Sequence, residues 1–447
     1  MAIVARVRSL APGQLVLDTA GTAGLNVALF VLNFGLVLLL SRLLGADGFG
    51  VYASALAWAS VLSVIAVLGL TPLVVRHTAE YATTGALGLL HGLLQRTNQA
   101  VLLVSSGTVA VAAAIGWLIY DDTPALLYAF WVALALVPLI ALTSLRQAAM
   151  QGLGRVVLGR VPETIVAPAL TIALVGAVAL ASDWLSPARA TGLQVAATLA
   201  AFALGVSLLR RTLPRGTLTA RPEYDTRSWR RSGLALLGLT GVMAVNLQLG
   251  TILLATLATT AEAGTFNVAV RASLLVSFVM LAASYPLMPT VARLYAGGDV
   301  ADIQRTVIRA GRGVLVFAVP VTLVLVAFAP AILSLFGPDF EDGATALRIL
   351  ALGELAKVVL GFGGLVLVMT GHEADVAWSA LVGAVLNLGL AAALIPFYGI
   401  EAAAVAVVAG TIASNLLAAA VARRRTGVWA PVLSGRASGT ARAGGEA

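Results

Sequence analysis

Eight side chains with binding chemistry stand inside, or at the edges of, segments that are otherwise almost wholly apolar: Arg42, Arg76, Arg271, Lys357, Glu354, Asn33, Asn246 and Gln248. A charge at the centre of a membrane-spanning helix costs at least about 2.5–3.5 kcal/mol, so a charge kept there is a functional candidate by default. The four cations attract an anion, and a guanidinium offers planar paired donors to phosphate or carboxylate oxygens. The three amides both donate and accept, which suits the hydroxyls of a sugar. Glu354 precedes Lys357 by three residues. On a helix the two can pair locally, or the carboxylate can serve as an ion-coupling group that takes up and releases a proton.

Each of these residues also has a structural reading. Arg271 lies seven residues past Gly264, about 10 Å into a helix at 1.5 Å per residue. It lines a cleft, or it snorkels back to the membrane surface. Arg76 fits an anchor at an inner helix end, whereas Arg42 is basic at an outer end. Asn26 and Asn33 are seven apart and share a helix face, and such amides also tie neighbouring helices together. Arg305, Arg309 and Arg312 form a stripe at i, i+4 and i+7 that reads as an anchor. Glycine-rich phosphate loops and ATP motifs are absent, which argues against direct use of ATP. The chain has no cysteine and three scattered histidines, His77, His91 and His372. Thiol chemistry and disulfides are thereby excluded, no metal site is expected, and no cofactor is implied.

The elements that must position these residues are membrane helices. Of 447 residues, 60% are hydrophobic and 11% charged, against about 25% charged in a soluble domain. Eleven stretches of 19 or more residues carry no Asp, Glu, Lys or Arg, and a spanning helix needs about 20. A twelfth, 343–371, has the length but holds Arg348, Glu354 and Lys357. Barrel strands would alternate polar and apolar residues, and these runs do not. The expected fold is an all-α membrane protein of twelve helices. With both termini on the cytoplasmic side, 23 of the 28 basic residues fall on or beside inner segments, as the positive-inside rule requires. That rule also accounts for the net charge of +8, so a nucleic-acid partner is not expected. The first apolar run is too long for a cleaved signal core and is read as a helix of a multi-pass protein.

A shift of 214 residues aligns 17–82 with 231–296 without a gap, at thirteen identities in 66 positions. Gly50 falls on Gly264, Tyr52 on Phe266, Ser63 on Ser277, Pro72 on Pro286 and Tyr81 on Tyr295. The expected organisation is a six-helix bundle over 1–209, a basic cytoplasmic linker over 210–231, a second six-helix bundle over 232–425, and a disordered tail over 426–447. Six is an even number, so the halves run in the same sense. They should face each other across a central cleft that opens to either side by rocking.

The segments LLLSRLLGADGFGVYASALAW (38–58), LGLTPLVVRHTAEY (68–81), AAMQGLGR (148–155) and ILSLFGPDFEDGATALRILALGE (332–354) resemble the polysaccharide-biosynthesis flippases. These belong to the superfamily shared by multidrug, oligosaccharidyl-lipid and polysaccharide exporters. The resemblance implies translocation of a lipid-linked oligosaccharide, usually a polyprenyl-pyrophosphate sugar, across the cytoplasmic membrane for surface polysaccharide synthesis. It also places helix 8, which holds Arg271, on the cleft. Implied partners are the lipid-linked cargo, membrane lipids and polysaccharide-assembly enzymes. A cation-coupled multidrug exporter of the same superfamily is the nearest alternative. It would favour acids in helices 1 or 7, where this chain has only Asp18 at an entrance and Glu262 at an outer end. An enzyme such as a polymerase or ligase would show a long external loop, and the external loops here are short.

Overall fold

The structure is a computed structural model, and it describes residues 12–67, 69–120, 123–181, 185–225 and 237–433. The side chains of 12–23, 25–27 and 237–245, including Asn26, lie outside this description, as do 1–11, 226–236 and 434–447. All regular elements among the described residues are helical. In chain order they are α1 (Pro12–Val67), α2 (Leu70–Thr84), α3 (Leu87–Tyr120), α4 (Pro124–Leu134), α5 (Leu136–Gly152), α6 (Val156–Val161), a π-helical turn (Pro162–Val166), α7 (Ala167–Ala181) and α8 (Pro187–Thr212). After the linker come α9 (Leu237–Leu257), α10 (Thr260–Ala296), α11 (Val300–Ala327), α12 (Ala329–Ser334), a 3-10 turn (Pro338–Gly343), α13 (Ala344–Leu360), α14 (Gly363–Met369) and α15 (Glu373–Thr426). Eight of the described helical segments are long and apolar enough to cross a membrane, nine when the bent pair Pro338–Leu360 and Gly363–Met369 is one span. Leu118 is 74% exposed, Leu180 93% and Phe397 79%. Water would not tolerate such a surface and lipid requires it.

Two helices are much longer than a bilayer needs, and each is two rods. Gly45 interrupts α1 with φ 69°, and Gly399 interrupts α15 with φ 52°. Both values lie in the left-handed region that glycine enters without a Cβ penalty, so the chain turns there with no loop. The charged, glycine-rich segment from Arg42 to Gly50, set between two apolar runs, is therefore one sharp turn between two long rods.

These turns define one end of the molecule, here the hinge end. The main hydrophobic core lies there and draws on both halves: Leu40, Phe49 and Tyr52 from the first, Leu254, Phe266, Phe336, Phe340 and Ile400 from the second. Two further cores each stay within one half, around Leu90, Leu93 and Val137 in the first and Ile303, Val307 and Val366 in the second. The halves are thus fused at the hinge end and packed separately toward the other.

At the fused end α1 meets α10 backbone to backbone. A Cβ on Gly50 would fall 1.7 Å from the Thr260 carbonyl oxygen. A Cβ on Gly264 would fall 2.3 Å from the Ala46 carbonyl oxygen and 3.0 Å from Gly50 Cα. The two glycines matched by the 214-residue shift are in contact with each other.

At the opposite end each half is strapped by the segment that follows its last long helix. The Glu223 N–H donates to the Gly88 carbonyl at 2.9 Å, and the Val432 N–H to the Val359 carbonyl at 2.9 Å. Val428, Ala430 and Val432 are fully buried. The first residues of the expected disordered tail are therefore ordered, because their apolar side chains fill gaps over Gly311 and Gly361.

A Gly50→Val substitution should separate α1 from α10. Overpacking a close contact costs about 1–3 kcal/mol, so we expect a clear fall in the thermal midpoint followed by size-exclusion in detergent. Gly107→Ala, with open space around it, should leave that midpoint unchanged.

Candidate functional site

Directly beneath the glycine contact lies a cavity between α1, α8, α9 and α10. Its polar lining is Asn33, Tyr52, Ser60, Gln194, Gln248, Asn267 and Arg271, and no Asp or Glu borders it. The apolar lining is mostly Leu36, Val37, Leu40, Phe49 and Leu56. Its volume is about 140 Å³, below the roughly 300–1,000 Å³ of sites that enclose a drug-sized ligand. A larger ligand enters only if the halves part. Ala57, which the 214-residue shift matches to Arg271, lines the same space.

Arg271 is the cavity's single cation. Its Nε donates to Asn267 Oδ1 at 2.9 Å, and Asn267 Nδ2 reaches Thr251 Oγ1 at 3.4 Å. These neutral partners aim the guanidinium without cancelling its charge. On the first half, Tyr52 OH donates to Gln194 Oε1 at 3.3 Å. Such amide and phenol pairs can exchange their partners for those of a ligand at little cost, since each lost bond is replaced.

Of the sequence-predicted residues, Asn33, Gln248 and Arg271 converge on this cavity. The others do not line it. Asn246 accepts from Asn387 Nδ2 at 2.7 Å, tying α9 to α15, with Asn387 buried. Lys357 donates to Glu354 Oε2 at 2.7 Å and to Ser277 Oγ at 3.4 Å, a locally neutral pair within the second half. Arg76 is exposed on α2, far along the chain from the hinge. Arg42 Nε donates to the Leu335 carbonyl at 2.6 Å, bridging the halves at the hinge end just past α12.

Arg42 is one member of a seam. Thr260 Oγ1 donates to Asp47 Oδ1 across the same interface. Phe49 and Phe340 meet edge to face at 6.3 Å, Phe34 and Phe336 at 5.4 Å, and Phe30 lies 5.0 Å from Phe278. Phe49 and Phe340 close the cavity toward the hinge, whereas Phe30 and Phe278 lie beyond Asn33 and Arg271 along α1 and α10 and bridge the halves on the far side. Sequence reasoning missed Tyr52, Ser60, Gln194 and Asn267. Tyr52 alone carried a signal, since it follows the hinge and matches an aromatic in the second half.

Residues 16–295 match the family of polysaccharide biosynthesis proteins, which is more than half of the 447 residues. The chain belongs to that family. Among solved structures, it is similar to an inward-facing multidrug resistance MATE transporter of the MOP superfamily. That match has TM-score 0.73 and 13% identity, covering 89% of this chain and 94% of the other. The MATE multidrug transporter DinF-BH in complex with R6G follows at TM-score 0.65 and 15% identity, covering 93% and 96%. A Pyrococcus furiosus MOP superfamily transporter, described as having a binding pocket of reverse polarity, matches at TM-score 0.56 and 13% identity, covering 92% and 94%. No curated protein sequence matches the chain. The chain is therefore a multi-pass membrane protein of the polysaccharide biosynthesis family with the MOP transporter fold.

Arg42→Ala removes a charged donor from the seam, a bond worth about 1.5–3 kcal/mol. With a single reporter cysteine in place of cavity-lining Ala53, thiol labelling from the hinge side should rise several-fold in Arg42→Ala. Equal labelling in both backgrounds would show that Arg42 does not hold the seam.

Proposed function

We propose that this protein is a flippase that moves a lipid-linked oligosaccharide, a polyprenyl-pyrophosphate sugar or its chemical equivalent, across the cytoplasmic membrane for surface polysaccharide synthesis. One observation carries the reading of the cargo: a cavity at the interface of the halves holds one uncompensated guanidinium among amides and hydroxyls, without a carboxylate. An anionic pyrophosphate matches Arg271, and the planar fork allows two parallel hydrogen bonds to phosphate oxygens. Sugar hydroxyls match Asn33, Gln194, Gln248 and Asn267. The apolar tail stays in lipid, where it costs nothing to leave.

The architecture supporting this reading is two six-helix halves. Dividing α1 and α15 at their glycines, joining α13 with α14, and including α9 brings the count of spans to twelve. By the sidedness of the basic residues, the hinge end faces outward and both termini inward. In the state described here the outer end is closed by the Arg42 and Asp47 contacts and the Phe49–Phe340 pair. The inner ends belong to separately packed cores. Alternating access would exchange these conditions by rocking one half on the other. No cofactor enters the scheme.

A cation-coupled multidrug exporter is the second reading, on the strength of the shared fold. A cationic drug placed beside Arg271 would meet repulsion in a site without an acid, so the cavity favours the anionic cargo.

The test is a reconstituted assay in liposomes with a fluorescent polyprenyl-pyrophosphate oligosaccharide. Wild-type protein should expose the probe on the far leaflet faster than protein-free vesicles. Arg271→Ala should cut the rate at least about tenfold, the equivalent of the 1.5–3 kcal/mol of a charged hydrogen bond, with Arg271→Lys intermediate. Absence of flipping, together with proton-driven efflux of a cationic dye, would establish the exporter instead.

A further inference from the structure

A buried ion pair in the first half lies apart from the cavity and has no part in the reading above. Arg146 on α5, with its side chain 3% exposed, donates from Nη2 to Glu163 Oε2 at 2.5 Å. The same nitrogen lies 3.0 Å from the Gly159 carbonyl, and Gln147 Nε2 donates to Glu163 Oε2 at 3.1 Å. Glu163 stands in the π-helical turn Pro162–Val166 between α6 and α7. Such turns are rare and occur frequently at functional sites. The Glu163 side chain is 18% exposed and that of Arg146 3%.

The pair is poorly completed as a structural tie. Arg146 Nε and Nη1 and Glu163 Oε1 are buried with no hydrogen-bond partner. Unmet buried donors and acceptors are costly, and apolar residues of like volume often replace a buried ion pair with no loss of stability. The fold nevertheless makes room for it. Gly205 on α8 has no side chain, and a Cβ there would lie 2.5 Å from Arg146 Cζ. Arg146 also borders a second cavity, of about 330 Å³, between α3, α5 and α8, where Gln95 and Asn98 supply neutral polar groups and His91 and Arg210 are the other titratable or charged residues. Two polar surroundings thus stand next to one buried cation.

We propose that Glu163 is a protonation site that switches the first half during the transport cycle, with Arg146 carrying the change. Ionised, the carboxylate holds Arg146 and, through Gln147, the end of α5. When a proton binds Glu163, the pair passes from neutral to a net single positive charge. The guanidinium then lacks a counter-ion, and it turns toward Gln95 and Asn98. Its release frees the π-helical turn to relax. Among the described residues, Arg146 is the one charged group acting on Glu163 from the elements packed against it. The proposal rests on the transport reading, but its test needs no cargo, so the two can fail separately.

The chain has no cysteine, so Thr83→Cys and Ala296→Cys, both exposed at the end opposite the hinge, can carry a spin-label pair across the halves. Distances are read in lipid nanodiscs across the carboxylate titration range, about pH 4 to 9. The wild-type distribution should shift with pH. Glu163→Gln keeps the side-chain shape and an acceptor oxygen but cannot ionise, so it should hold the low-pH distribution at every pH. Glu354→Gln should respond as the wild type does. Glu163→Asp, a second variant that still ionises, should respond with a displaced midpoint. A wild type that ignores pH, a Glu163→Gln that titrates like it, or an unmoved Glu163→Asp midpoint would each overturn the proposal.

Discussion

The structure depends on a contact that only glycine permits, the approach of α1 to α10 at Gly50 and Gly264. Because no side chain intervenes at this level, the two halves share one core at the hinge end. The same closeness leaves space immediately below, where Tyr52, Asn33, Gln248 and Arg271 reattach side chains to the facing helices. Backbone contact above and side-chain contact below are two consequences of one packing choice. A wedge at either glycine would move every group that borders the cavity.

The treatment of charge separates the cavity from the rest of the protein. Lys357 is neutralised by Glu354 one turn away, and Arg146 by Glu163 across a helix break. Arg271 has amide and hydroxyl neighbours, and among the described residues no carboxylate pairs with it. A cation kept inside a membrane domain without a counter-ion is costly. On the proposed function, the arrangement becomes favourable when the anionic head group of the cargo arrives. The neutral neighbours fix the direction of the guanidinium, which under that proposal leaves little ordering cost for binding.

Much of this was legible in the sequence because lipid simplifies the code. Runs without charge marked the helices, and Gly45 between two such runs marked a turn without a loop. The matched glycines, 214 residues apart, read as turn residues in the sequence, whereas Gly50 and Gly264 lie inside helices and meet there. Arg271, Asn33 and Gln248 stood out because polar groups are rare in such runs. What remained hidden was tertiary. Asn246 looked like Gln248 on paper, yet their side chains diverge, and only the first finds Asn387. Arg42 looked like a cleft cation but caps the Leu335 carbonyl across the seam. Gln194 and Asn267 reach the cavity through helix rotation that a nearly all-apolar pattern does not encode. The Arg146 and Glu163 pair depends on a π-helical turn that has no sequence signature. Residues 427–433 read as a tail because their composition is small and mixed, although their backbone and valines fit two glycine gaps.

The most direct test of the central claim, that Arg271 receives the anionic head group of the cargo, is an experimental structure of the protein with a bound polyprenyl-pyrophosphate oligosaccharide. The account predicts a phosphate oxygen within about 3 Å of the Arg271 guanidinium, normal charge-assisted hydrogen-bond distance, with the sugars against Asn33, Gln194 and Gln248. A pyrophosphate bound elsewhere, with Arg271 still engaged only by Asn267, would contradict it.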